Sequence, residues 1–392
     1  MKKPDFNSIL SRRDFLRITT ALGGAAALAS FLEGCSTAEQ AQGTLTSPTD
    51  TVGLPTPVQE MEPTMTSTKE PPKPTETSAA PSTTPTGSVE NGIARLAFVK
   101  TNNRAEGVRQ AIALLGINPF AGKRVFLKPN FNSSDPTPGS THPEVLAALV
   151  MALKQMGAKH ITVGDRSGMG DTRQVMEKIG VFGLADEMDF EAVVLDELGA
   201  EDWVMIEPSG GHWKRGFPFA RLCIEAEALV QTCCLKTHRY GGHFTLSLKN
   251  SVGMVAKRFP LEDYDYMQEL HNSSHQRRMI AEINAAYTPA LIVLDGVEAF
   301  ISGGPDQGER AFPEVILAGT DRIAMDAVGI ALLRYYGCKT EASLGKIFEQ
   351  EQIARAVDLG LGVDHPEKIQ FLTGEPDSAA YSDKIKEILQ AG

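Results

Sequence analysis

From residue 93 onward, short apolar runs of strand length alternate with segments that have helical periodicity. The apolar runs lie at 96–99, 125–127, 160–163, 192–195, 228–230, 291–294 and 315–317, and the helical segments near 104–115, 142–156, 172–179, 274–287 and 321–335. Such alternation is typical of α/β proteins, in which helices cover both faces of a mainly parallel sheet. We therefore predict an α/β domain at 91–392, as one unit that could be divided into two lobes.

The first 34 residues have the layout of an export signal. Arg12 and Arg13 stand before Phe15 and Leu16, and a weakly apolar run follows at 18–32 that is too short for an ordinary membrane-spanning helix. The paired arginines resemble the twin-arginine export motif, which implies passage through the twin-arginine translocase. A generic signal or an uncleaved anchor is the alternative.

Cys35 ends the tetrapeptide Leu32-Glu33-Gly34-Cys35, which resembles the lipobox of bacterial lipoproteins. Glu33 departs from that pattern, which normally has a small or β-branched residue there, and cleavage by ordinary signal peptidase after 36–38 is the alternative. A lipid on Cys35 would tether the chain to a membrane without spanning it. We expect an exported protein, in the periplasm or on the outer face of the cytoplasmic membrane, either lipid-anchored or secreted.

The segment 35–90 consists mostly of Thr, Ser, Pro and Glu and has almost no large apolar side chains. Without apolar burial, nothing offsets the entropy that is lost when a chain becomes ordered. We therefore predict a disordered stalk between the signal and the folded domain.

Charge and cysteine usage exclude several classes of protein. The formal net charge is -11 and no run of Lys and Arg is present, so binding to nucleic acid is not expected. The five cysteines include no C-x-x-C pair, so neither an iron–sulfur cluster nor a structural zinc site of that spacing is expected.

Polar residues follow several of the apolar runs directly. Lys128, Asp165, Lys236 and Asp295 each stand at such a strand end. Ligands of open parallel sheets bind outside the carboxyl ends of the strands, so these four side chains should converge if their strands are parallel. The alternative for any one of them is that charges flank strands because strands end at the surface.

The densest polar cluster of the folded part lies at 236–250. Its histidines could serve as metal ligands or proton carriers, and its lysines could bind a carboxylate or phosphate. Lys249 and Asn250 are expected in a short helix that follows. The predicted site comprises Lys128, Asn130, His142, Asp165, Lys236, His238, Lys249, Asn250 and Asp295, with His238 and His243 as candidate metal ligands.

Two helix starts carry capping signals, at 141–144 and at 273–276. At the first, the positive helix end should favour the neutral form of His142. The second places His271 before its helix begins, so His271 and His275 need not share a helical face. Asp326 interrupts an otherwise apolar helix, where it is either a buried, paired carboxylate or a catalytic one.

Taken together, these motifs resemble the family known as domain of unknown function 362. The resemblance covers about 95–340 and is carried by 128–130, 141–143, 164–165, 236–238, Thr245, 249–250, Gly253, 295–296 and 303–305. It implies no settled activity. Some relatives carry ferredoxin-like iron–sulfur modules, but this chain lacks the cysteines for them.

Two functions are consistent with these residues. The first is an enzyme that acts on a small anionic or carbonyl-bearing substrate, with lysines neutralising developing charge and Asp165, His142 or His238 as acid or base. The second is a tethered protein that binds an anionic ligand or metal without turnover. Proteins with the export signal that this one resembles cross the membrane already folded, often with a cofactor inserted, so a bound metal or other cofactor of unknown identity is consistent with both.

Overall fold

A computed structural model describes residues 92–241, 243–260 and 262–392. The predicted export motif at Arg12 and Arg13, the lipidation site at Cys35 and the predicted stalk at 35–90 lie outside these residues. The described residues all belong to the predicted α/β domain.

Ten strands form one sheet and two more form a separate pair. The strands are β1 (Ala94–Lys100), β2 (Arg124–Lys128), β3 (His160–Asp165), β4 (Glu191–Val194), β5 (Trp203–Ile206), β6 (Phe217–Ala220), β7 (Ala228–His238), β8 (His243–Thr245), β9 (Pro289–Gly303), β10 (Gly308–Ala311), β11 (Val315–Gly319) and β12 (Ile369–Leu372). The order in the large sheet is β12-β1-β11-β9-β7-β2-β3-β4, with β10 on β9 and β8 on β7. Strands β5 and β6 form the small pair.

In the half of the sheet with the order β9-β7-β2-β3-β4, each strand runs parallel to the next. Strand β12 is also parallel to β1, whereas β11 runs antiparallel to both of its neighbours. The prediction of a mainly parallel α/β sheet is confirmed, and every apolar run singled out above forms a strand, except that Leu195 begins a short 3-10 turn after β4. The antiparallel direction of β11 departs from a fully parallel sheet. Hydrophobic periodicity does not reveal this direction, because the apolar pattern of a strand is the same in both directions.

Helices cover both faces of the sheet. They are α1 (Arg104–Leu115), α2 (Pro143–Gln155), α3 (Thr172–Ile179), α4 (Val181–Met188), α5 (Arg221–Glu225), α6 (Ser247–Asn250), α7 (Tyr266–Asn272), α8 (Gln276–Ile283), α9 (Arg322–Tyr335), α10 (Glu351–Asp358) and α11 (Pro376–Ala391). Side chains of a strand alternate between faces, so Ile316 packs with α1 and α2 while Leu317 packs with α9 and α11. A third hydrophobic core is formed mainly by residues of the segment 203–287, and it also contains Phe126.

Both predicted capping boxes differ from the structure. Helix α2 is capped by His142, whose Nδ1 accepts a hydrogen bond from the Glu144 amide at 3.2 Å. The Thr141 hydroxyl instead accepts a hydrogen bond from the Asn130 amide at 2.8 Å, which ties the loop after β2 to the start of α2. Helix α8 begins after His275 with no side-chain cap, and it ends at Ile283 before a short helical turn at 284–286.

His271 lies in α7, whereas His275 caps α8, so the two histidines belong to different helices. Among the described residues, no helix has both the length and the apolar character that a membrane span requires.

Candidate functional site

A buried ion pair joins the ends of two neighbouring parallel strands. Lys128 Nζ lies 2.7 Å from Asp165 Oδ1, and it also donates a hydrogen bond to Asn250 Oδ1 at 3.1 Å. The Asp165 carboxylate accepts hydrogen bonds from the amides of Phe131 at 2.6 Å and Arg166 at 2.7 Å. Burial raises the pKa of Asp165 and lowers that of Lys128, while their mutual attraction opposes both shifts. The pair is thus fully engaged by protein groups.

Gly253 packs directly on this ion pair. A Cβ atom at Gly253 would lie 2.2 Å from Asp165 Oδ1 and 2.7 Å from Lys128 Nζ, closer than any side chain could approach. The Gly253 carbonyl also accepts a hydrogen bond from the Arg166 amide at 3.1 Å. The close approach explains why glycine is needed here, and it brings the segment after α6 against the ends of β2 and β3.

Lys236 lies on β7, which extends beyond the end of β2. Its buried ammonium donates hydrogen bonds to the carbonyl oxygens of Gly139 and, at 3.1 Å, of Pro305. The loop after β2 and the turn after β9 thus both close over this side chain. Burial lowers the pKa of Lys236 to about 8.

Lys249 differs from these two lysines. Within the described part of the chain, its ammonium group takes part in no hydrogen bond and no ion pair. It is partly buried on α6. Burial, and then the positive charges of Lys236 and Arg166, lower the pKa of Lys249 to about 7. It is therefore a cation, or a free amine, without a counterion in the described residues.

Helix α6 is held in place by a carboxylate from a distant part of the chain. Asp326 on α9 accepts hydrogen bonds from the amides of Ser247 at 2.7 Å and Leu248 at 3.2 Å. Asn250 connects the same helix to β7, because its side-chain amide donates a hydrogen bond to the carbonyl of Thr232 at 3.1 Å. Asp326 is therefore a buried, hydrogen-bonded carboxylate, and it fixes the backbone that carries Lys249.

Arg166 holds the segment that follows α6, a role that the sequence analysis missed. Its guanidinium donates hydrogen bonds to the carbonyls of Val252 at 2.6 Å and Val255 at 3.0 Å. It forms no salt bridge within the described residues, although it is buried. The signal in the sequence was its position directly after Asp165, but its acceptors are backbone oxygens and the Met267 sulfur, which no motif marks.

Two histidines share the surroundings of Lys249. The pKa of His238 is well below its ordinary value, because of burial and then the charges of Lys249 and Lys236. His271 Nδ1 lies 2.7 Å from the Met267 carbonyl oxygen, and burial followed by the charge of Lys249 lowers the pKa of His271 as well. Both imidazoles are therefore biased toward the neutral form beside a group of fixed cations.

The candidate metal ligands His238 and His243 do not share these surroundings. They are partners across β7 and β8, but His243 has a positive φ of 57° and lies near Arg277 and Glu351 rather than near Lys249. No group of three or more His, Cys, Asp or Glu residues in the described ranges could hold a metal ion. The geometry thus offers no third ligand to this pair.

Asp295 and His142 lie around a second buried pair. Asp295 Oδ2 accepts a hydrogen bond from Arg104 Nε at 2.9 Å, and Arg104 also contacts Glu298 at 3.1 Å. The pKa of His142 is lowered to about 4, first by burial and then by the charge of Arg104. A lowered pKa of His142 is expected from the sequence, but its main cause is burial rather than the positive end of the helix. Asp295 is thus paired and is not a free acid or base.

Several buried polar atoms around these segments have no hydrogen-bond partner among the described residues. They are Asn130 Oδ1, Ser167 Oγ, Thr232 Oγ1 and Thr245 Oγ1. Thr245 pairs with Lys236 across β8 and β7, so the two side chains stand on the same face of the sheet. Buried polar atoms are normally hydrogen-bonded, so each of these atoms has hydrogen-bonding capacity that the described residues do not use.

The structure thus brings the predicted residues together in three groups. Lys128, Asp165 and Asn250 are in direct contact, and Lys236, His238 and Lys249 interact through their charges. His142 and Asp295 lie around Arg104, and Asn130 belongs to the loop that reaches Lys236.

A comparison with known families agrees with this arrangement of motifs. The family model described as domain of unknown function (DUF362) matches residues 125–331, which is more than half of the chain. The chain belongs to this family. The matched range begins in β2 and ends in α9, so it includes both the ion pair at Lys128 and the carboxylate of Asp326.

The chain is also similar to two individual proteins. A thylakoid-associated protein of Synechocystis sp. is 26% identical over 254 residues, which cover 63% of this chain and 74% of that protein. The lactate racemase apoprotein of Thermoanaerobacterium thermosaccharolyticum is 14% identical with a TM-score of 0.37, over 75% of this chain and 86% of that one.

Proposed function

We propose that this protein is an enzyme that binds a small anionic substrate at the carboxyl edge of its sheet. The observation that carries the proposal is Lys249, a partly buried ammonium group that no described residue neutralises. Lys236 and Arg166 lie close enough to lower its pKa, so a negative charge bound there would relieve repulsion among three cations. A carboxylate or a phosphate meets this requirement.

Proton transfer is the chemistry that this group supports best. The pKa values of Lys249, about 7, and of Lys236, about 8, allow either group to gain or lose a proton near neutral pH. His238 lies beside them as a neutral imidazole, and its Nδ1 accepts a hydrogen bond from the Tyr240 amide at 3.3 Å. In this proposal, Lys236 and Lys249 neutralise negative charge that develops on the substrate, and Lys249 transfers the proton.

A binding protein without turnover is the second candidate, and one observation favours it. Both predicted carboxylates at this edge are paired, Asp165 with Lys128 and Asp295 with Arg104. Neither is therefore available as a strong base, and an anion could be retained without reaction.

Calorimetry with a panel of small carboxylates and phosphates tests the proposal. Wild type should bind at least one member, and Lys249→Ala should weaken that binding about 10-fold to 100-fold, since a charge-assisted contact is lost. Lys339→Ala is the matched control, because Lys339 is exposed and should leave affinity unchanged. Absence of binding by the whole panel, or equal binding by Lys249→Ala, would contradict the anion site.

Nuclear magnetic resonance of the bound compound then separates the two candidates. Conversion of the compound, or exchange of its carbon-bound protons with deuterium, supports the enzyme. A compound that is retained but unchanged in both respects supports the binding protein.

We propose separately that the protein is exported and tethered, on the grounds of Arg12, Arg13 and Cys35. Changing both arginines to lysine should block export, and Cys35→Ala should release the protein from membranes or stall its processing. Fractionation of cells that express each variant measures both effects. Unchanged size and membrane association of Cys35→Ala would rule out the lipid anchor, and continued export of the double lysine variant would rule out the twin-arginine route.

A further inference from the structure

Three lysine amines lie at the carboxyl edge of the sheet, and their hydrogen bonding divides them. Lys128 Nζ is bound by Asp165 and Asn250, and Lys236 Nζ is bound by two carbonyl oxygens. Lys249 Nζ has no such partner among the described residues. An amine can attack a carbon atom only through a free lone pair, so Lys249 is the one of the three that is placed to act as a nucleophile.

We infer that Lys249 captures the carbonyl carbon of a 2-oxo acid as a Schiff base. This inference rests on the proposed function and names its substrate class. A 2-oxo acid combines the two properties that the site requires: a carboxylate that the surrounding cations attract, and a neighbouring carbonyl that a free amine can attack.

The groups that would receive the carboxylate lie on β7 and β8. An ammonium group has three N–H donors, and Lys236 uses two of them on the carbonyls of Gly139 and Pro305. The third is left for an anion. Thr245 stands opposite Lys236 in the sheet register, and its buried hydroxyl has no partner within the described ranges. In this inference Lys236 and Thr245 bind the carboxylate, and Lys249, whose pKa is lowered by the charge of Lys236, attacks the adjacent carbonyl carbon.

The chemistry balances without an oxidant or a reductant. The neutral amine of Lys249 adds to the carbonyl carbon, and a proton passes from nitrogen to the carbonyl oxygen to give a carbinolamine. The hydroxyl group then takes one proton from a neighbouring ammonium or from water and leaves as water. A protonated imine remains, which draws electrons from the bonds next to the former carbonyl carbon.

The local electrostatics favour the neutral amine that this step needs. Burial and the charges of Lys236 and Arg166 lower the pKa of Lys249 to about 7, so about half of the amine is unprotonated at neutral pH. Asp326 and Asn250 hold the backbone on both sides of Lys249 by buried hydrogen bonds. The amine is therefore both available and held in a fixed segment.

Reductive trapping tests the inference directly. The folded protein is incubated with pyruvate, glyoxylate or 2-oxoglutarate, treated with borohydride, digested and mapped by mass spectrometry. At least one 2-oxo acid should leave a reduced adduct on Lys249, whereas lactate, which has no carbonyl, should leave none. The yield should rise as the pH increases through about 7, following deprotonation of Lys249.

Two variants distinguish failure of the Schiff base from failure of the anion site. Lys249→Arg keeps the charge but cannot form the imine, so it should retain calorimetric binding of 2-oxo acids and lose the adduct. Lys339→Ala should keep the adduct at the wild-type level.

Each remaining outcome decides one or both of the two proposals. If 2-oxo acids bind wild type and Lys249→Arg but no adduct forms on wild type, the Schiff base is overturned and the anion site stands. If no carboxylate or phosphate binds at all, both are overturned. Adducts spread over exposed lysines, with none enriched at Lys249, also overturn the Schiff base.

Discussion

Lys128 and Lys249 lie at the same edge of the sheet, and both are connected with α6. Lys249 lies on this helix, and Lys128 donates a hydrogen bond to its residue Asn250. The electrostatic surroundings of the two lysines nevertheless differ. Asn250 binds the ammonium of Lys128, and Asp165 neutralises it, so every charge in that group is matched. The residue before Asn250, Lys249, has no counterion among the described residues, and the charges that lower its pKa are those of Lys236 and Arg166. A matched buried pair contributes to stability, whereas the unmatched charge is the one that we propose for anion binding.

The largest effect is expected from breaking the matched pair. Asp165→Ala leaves the Lys128 charge buried and unpaired, so the free energy of unfolding should fall by about 3–5 kcal/mol. Urea denaturation measures this loss. The double variant Lys128→Met with Asp165→Leu should recover part of it, because apolar side chains replace both charges. A loss below about 1 kcal/mol in the single variant would show that the pair is not structural.

An intermediate effect is expected at Asp326, whose carboxylate holds the helix that carries Lys249. Asp326→Ala removes the acceptor of the Ser247 and Leu248 amides, so stability should fall by about 1–3 kcal/mol. Binding of the anion should weaken as well, although Asp326 lies on another helix, because the backbone of Lys249 is no longer held. Asp326→Asn retains one acceptor oxygen and should be milder in both measurements. If a folded Asp326→Ala protein bound the anion with unchanged affinity, the support of α6 by Asp326 would not be required for binding.

The smallest effect, at most about 1.4 kcal/mol for each pH unit, is a pH dependence that sharpens the comparison. The pKa of Lys249 is about 7 in the folded protein and 10.5 as its ordinary value, so between these pH values the unfolded chain binds more protons. Stability of wild type should therefore rise with pH across this window, relative to Lys249→Met, and the difference should be constant below pH 7. Urea denaturation at a series of pH values measures it. A difference that does not vary with pH would mean that the ammonium of Lys249 is not destabilised by its surroundings.

The sequence predicted the parts of this arrangement that depend on local patterns. Strand-length apolar runs followed by polar residues located the ends of β2 and β3, and the family motifs pointed to Lys236 and Lys249. Parallel neighbours then bring Lys128 and Asp165 together, as the direct ion pair shows.

The remaining contacts could not be predicted, because they depend on tertiary structure. Arg166 binds backbone carbonyls at Val252 and Val255, and any residue type supplies such a carbonyl. The apolar pattern of β11 is compatible with either strand direction, and only the path of the chain makes it antiparallel. The partners of Asp326 are 78 and 79 residues away, beyond the reach of any spacing rule.

The long separation between Asp326 and α6 also sets an order of events during synthesis. All the lysines of the candidate site are translated before residue 326, but the carboxylate that holds α6 reaches the growing chain only afterwards. A nascent chain that ends before α9 therefore carries the lysines of the candidate site without the carboxylate that holds the backbone of Lys249. The segment that carries Lys249 is held in place only once α9 has been made.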